Sequence, residues 1–143
     1  MKFYIKRKLK VKKQAYKCYY REIERYKHLY NTSLSQKEAL AVINTLKKVF
    51  NIPVKKVTFD FKSKKFGANA DRWGNIRFKD NNIHLLIVCH ELNHVRCFNK
   101  YPKESPHSNI FYRELDKMIR WIENNITFKI KTPILIFCKN DKK

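Results

Sequence analysis

Between residues 83 and 98 the apolar side chains Leu85, Val88, Cys89, Leu92 and Val95 return at intervals of three and four, which places them on one face of a helix. An earlier stretch does the same. Ser35 and Glu38 have the spacing of a capping box, and Ala39, Leu40, Val42, Ile43, Leu46, Val49 and Phe50 behind them predict a helix over 36–50. A third stripe, Ile110, Phe111, Leu115, Met118, Ile119 and Ile122, predicts a helix over 108–123. Shorter alternations lie between. After Pro53, the residues Val57, Phe59 and Phe61 recur at every second position, the period of a half-buried strand. Ile76 and Phe78 form a short edge-type strand between turns at Gly67 and Gly74. Lys100 to Pro106 reads as a loop, and ITFKIKTPILIFC as two short strands divided by Pro133.

A chain of 143 residues, 43% apolar and 14% aromatic, has the material for one packed core. Its charge changes the picture more than its size does. Lys and Arg number 33 against 12 acids, a formal net charge of +21 that attracts polyanions, nucleic acid first among them. Residues 1–30 carry eleven of these cations and two acids, interleaved with tyrosines, and read as a basic, partly helical arm ahead of a domain over 31–143. Within the arm Lys6, Arg7, Lys8, Lys10, Lys12 and Lys13 are the candidates for sequence-nonspecific phosphate contacts. The competing reading of the arm is a solvated charged face with its aromatics turned inward. Cys18, Cys89, Cys97 and Cys138 contain no CxxC pair, so no zinc ribbon is encoded. The charged start lacks the apolar run of a secretory signal, and no apolar stretch is long enough to span a bilayer. The expectation is a soluble intracellular protein with reduced thiols and no membrane partner.

The candidate chemistry lies on the 83–98 helix. His90-Glu91-Leu92-Asn93-His94 is an HExxH sequence, and with about 3.6 residues per turn the two imidazoles project from the same face, where they can share one metal ion. Glu91, one position along, stands beside the metal. There it can take a proton from a water that the metal acidifies and pass it to the leaving amine. The alternative, two surface histidines, fits poorly with the apolar stripe around them, since buried charge without a metal is costly. A catalytic zinc needs a third protein ligand. His107, at the start of the next helix in PHSNIFYREL, is the prime candidate, and Glu114, almost two turns further on, is the rival. His84 lies off the face of His90, and His28 sits in the basic arm; both read as ordinary residues.

The order of apolar helix, short strands, IVCHELNHV and PHSNIF resembles the SprT-like, or Spartan, zinc metallopeptidases, in which HExxH is followed by a histidine in an H-G-x-x-F motif. The resemblance covers residues 36–123. It implies one Zn2+ per chain held by His90, His94 and His107, Glu91 as the catalytic base, and Phe111 as a core aromatic. It implies an α+β fold, a minimal zincin-like domain whose HExxH helix packs against a small sheet. Family members with known roles cleave proteins crosslinked to DNA, which implies a protein or peptide substrate and DNA as a partner. Two departures stand out: Ser108 replaces the usual Gly, although Ser is favoured at a helix N-terminus, and the zinc ribbon that often follows the domain is missing. In this broad class an extended substrate pairs with an edge strand. Asn75 to Phe78 is the candidate for that strand, with Asn75 and Ile76 as substrate contacts and Trp73 near the cleft, and Tyr101, Tyr112 and Arg113 are candidates for oxyanion contact. The reading from another class is a non-catalytic, basic nucleic-acid-binding protein with a structural zinc.

Overall fold

The computed structural model describes residues 20–63, 67–128 and 135–138. The expected phosphate contacts at Lys6, Arg7, Lys8, Lys10, Lys12 and Lys13, and the break at Pro133, lie outside these residues. Helical backbone occupies residues 20–25 (α1) and Lys27–Tyr30 (α2), and then come α3 (Gln36–Val49), β1 (Lys56–Thr58), β2 (Ala68–Ala70) and β3 (Asn75–Phe78). The chain continues through α4 (Leu85–Lys100), α5 (Asn109–Asn125), β4 (Ile126–Phe128) and β5 (Leu135–Cys138). The fold is mixed α+β. No helix among the described residues is long and apolar enough to cross a membrane.

The capping box at α3 is formed: Glu38 N–H donates to Ser35 Oγ at 3.1 Å, and Ser35 N–H donates to Glu38 Oε1 at 2.9 Å. Behind it, Ala39, Val42, Ile43 and Leu46 are buried, while Leu40 and Val49 at the margins of the stripe are exposed.

The main sheet has the order β1-β3-β2, with β1 parallel and β2 antiparallel to β3. This corrects the expectation of an edge strand at Asn75–Phe78. β3 is the middle strand, and its hydrogen-bonding sides are taken by β1 and β2, so it has no free edge for a substrate backbone. The cause lies at the hairpin tip. Gly74 has φ 89°, and a Cβ there would stand 2.2 Å from the carbonyl oxygen of Pro53. The tip therefore presses against the chain ahead of β1, Lys55 N–H donates to Gly74 O at 2.8 Å, and β3 is delivered alongside β1. β4 and β5 form a separate antiparallel pair.

α4 lies at the centre, packed on α2, α3, α5 and β2. Leu85 to Cys89, Leu92 and Val95 are buried along it, and each aliphatic chain so removed from water contributes about 1.5–3 kcal/mol. Across from them, α5 presents Phe111, Leu115, Met118, Ile119 and Ile122. Residues 20–30, read above as the end of a basic arm, are built into this core. Glu22, Tyr26 and Leu29 are buried, and the Tyr26 hydroxyl donates to Asp116 Oδ1 on α5 at 2.9 Å, with Arg25 pairing the same carboxylate at 3.3 Å.

Candidate metal centre

The helical period of α4 puts His90 and His94 one turn apart on the face that meets α5. Their Nε2 atoms lie 3.0 Å from each other. His107 reaches the same point from the loop: its Nε2 is 3.1 Å from His90 Nε2. The loop achieves this by bending sharply at His107, whose φ is 61°, after which Ser108 returns to extended backbone and caps α5, its Oγ accepting from Phe111 N–H at 3.4 Å. Ser108 is thus accommodated as an N-cap, and the left-handed residue is the histidine before it. Phe111 floors the cluster, with ring centroids 5.1, 4.6 and 5.1 Å from those of His90, His94 and His107.

Three imidazole nitrogens facing one point at these distances leave too few protons to hydrogen-bond every pair, and each lone pair needs a positive partner. The donor set fits a divalent ion of the zinc type. Tetrahedral arms of about 2.0–2.1 Å require nitrogens about 3.3 Å apart, close to the spacings seen, and neutral imidazoles are preferred ligands for such an ion. Burial, and then the charge of the neighbouring His90, holds His94 and His107 below the ordinary histidine range, which keeps them neutral. For His90, burial acts downward, but the hydrogen-bonded Glu22 carboxylate, assisted by Glu91, carries it above its usual value. Glu91 is 7% exposed, and desolvation lifts its carboxyl to about 7, with Glu22 adding to the rise and His90 opposing it.

Glu114, the rival ligand, is fully buried and occupied elsewhere. Arg96 pairs with its Oε2 at 2.7 Å, and the Tyr101 hydroxyl donates to Oε1 at 3.1 Å. Arg96 in turn lies over the Phe50 ring, 4.8 Å from its centroid, so this carboxylate clamps α4, α5 and the loop between them.

Of the other sequence candidates, Tyr101 is engaged by Glu114, Tyr112 is half-buried with its ring edge against Phe111, and Arg113 is exposed, 3.9 Å from Glu114. Trp73 lies exposed at the β2–β3 turn; the Asn75 side chain donates to Asp71 Oδ2 at 3.0 Å, and Ile76 is fully buried. The structure therefore brings together His90, His94 and His107, with Glu91 buried as the next residue after His90 on α4, and leaves Trp73, Asn75 and Ile76 on the hairpin.

Sequence reasoning missed two residues of the site. Glu22 Oε1 lies 2.7 Å from His90 Nδ1, across 68 residues of chain. Its signal was its place on the stripe Glu22, Tyr26, Leu29, an acid on the inward face of an otherwise cationic segment. Asn93, the variable position inside the motif, is completely buried and donates from Nδ2 to the Phe111 carbonyl at 2.8 Å, fastening α4 to the first turn of α5, just past His107. No protein-family model, curated protein or solved structure matches this chain, so the reading of these residues as a metal centre rests on their geometry and chemistry alone.

Proposed function

We propose that this protein is a zinc-dependent endopeptidase with a minimal zincin-like, SprT-like domain, acting on proteins held on nucleic acid. The observation that carries the reading is the convergence of the His90, His94 and His107 Nε2 atoms, with a buried glutamate, Glu91, next to His90 in the chain. Zinc bound there supplies Lewis acidity, polarising a carbonyl and lowering the pKa of water. His90, His94 and His107 hold it. Glu91 takes the proton of the attacking water and returns it to the departing amine nitrogen. Among the described strands, β2 is an edge of the main sheet and packs on α4, so an extended peptide has a free edge near the ligand helix there rather than at β3. The net charge of +21 supports the choice of substrates presented on a polyanion.

The test combines metal analysis with a peptidase assay, with and without DNA. Purified wild type is expected to hold about one zinc per chain, and His90→Ala, His94→Ala and His107→Ala to lower occupancy, whereas Glu114→Ala retains it. Glu91→Gln is expected to keep zinc and fold while losing most turnover, by a factor of about 100 or more. A zinc-loaded wild type without hydrolytic activity would leave the centre a structural one; zinc retention in His107→Ala would remove that residue from the ligand set.

A further inference from the structure

We propose that Glu22 is a positioning residue for the metal centre, and that α1 is therefore part of the site rather than a peripheral segment. This rests on the reading of the histidine cluster as a metal site. The Glu22 carboxylate lies behind the His90 ring, with Oε1 at 2.7 Å from Nδ1, while Nε2 on the opposite side of the ring faces His94 and His107. A proton on Nδ1, donated to Glu22, leaves the Nε2 lone pair bare and directed at the cluster, so one hydrogen bond fixes both the tautomer and the rotation of the ring.

The burial of Glu22 is otherwise hard to account for. Its side chain is 2% exposed, and its second oxygen, Oε2, has no hydrogen-bond partner among the described residues. Removing a carboxylate from water to serve packing alone costs more than an apolar residue would. Its described polar partner is His90. The segment carrying it is also anchored independently: Arg25 and Tyr26 bind Asp116 on α5, the helix that follows His107. Among the described residues His90 alone of the three histidines has a carboxylate behind it. His94 stacks on Phe98, centroids 5.7 Å apart, and His107 is placed by its loop.

Metal affinity of the full-length protein, measured by chelator competition with Zn2+ and followed in parallel by the visible spectrum with Co2+, tests this. Glu22→Gln is expected to weaken binding about 10- to 100-fold and to alter the Co2+ bands, while circular dichroism stays native. Tyr26→Phe loosens the same segment without touching a ligand and is expected to retain wild-type affinity. In zinc-loaded wild type, long-range 1H–15N correlation is expected to show a protonated, pyrrole-type Nδ1 on His90. Wild-type affinity and spectrum in Glu22→Gln would overturn the proposal and leave the metal site standing, as would equal losses in Glu22→Gln and Tyr26→Phe. Zinc bound at His90 Nδ1 would overturn it without recourse to any variant. Failure of wild type to bind metal would remove both this role and the metal centre.

Discussion

His107 has a φ of 61°, a left-handed conformation that a β-carbon penalises by about 1–2 kcal/mol. The bend aims its imidazole back at His90 and frees Ser108 to cap α5, so local strain is the means by which the third nitrogen reaches the cluster. In metal-free protein, His107→Gly is expected to melt at a higher temperature than His107→Ala, by an amount corresponding to about 1 kcal/mol, because only glycine relaxes at this φ. Thermal unfolding of the two variants after chelation checks this, and equal midpoints would show that the bend is unstrained. The HExxH spacing made the pairing of His90 and His94 legible in sequence, since a helical period converts a spacing of four directly into a shared face. Glu22 was not legible as a partner, because a hydrogen bond across 68 residues depends on how α1 docks and has no local signature.

α4 joins the helices to the main sheet, and its first turn begins at a histidine. His84 Nδ1 accepts the Ile87 amide proton at 3.1 Å, a capping role that requires an unprotonated nitrogen. Burial, with the charge of His90 added, lowers the His84 pKa to about 4 from an unfolded value near 6.5. The folded state therefore excludes a proton that the unfolded chain accepts. The stability this contributes is complete above about pH 6.5 and is lost as pH falls toward 4, at up to about 1.4 kcal/mol per unit and less where water reaches the ring. His84→Asn keeps a capping oxygen without a titrating group, and urea unfolding of wild type and variant between pH 7 and 4.5 is expected to show a flatter profile in the variant. Parallel profiles would exclude His84 as the source. At this scale the apolar stripes placed α3, α4 and α5 to within about two residues, as the reach of capping and fraying allows. The same patterns misplaced β3 in its sheet. Alternation of Ile76 and Phe78 reports which face is buried, whereas neighbour order was decided by the contact between Gly74 and Pro53.

At the scale of the molecule the dominant quantity is charge, +21 over 143 residues, and the expected consequence is affinity for phosphate backbones without base selection. The logarithm of the DNA affinity is expected to fall linearly with the logarithm of salt, by about 0.9 per duplex phosphate neutralised. Deleting residues 1–13 is expected to flatten that slope and leave zinc content unchanged; fluorescence anisotropy across a salt series with metal analysis reads both, and an unaltered slope would move the contacts elsewhere. The layout of the centre along the chain also has a consequence in time. Its three imidazoles come from residues 90–107, a single helical hairpin, whereas the carboxylate behind His90 comes from residue 22. Contacts between sequence neighbours close faster than those that must first gather a long loop. During refolding the hairpin is expected to close before α1 docks behind it, so that under the reading proposed above capture of the ion would precede its consolidation by Glu22.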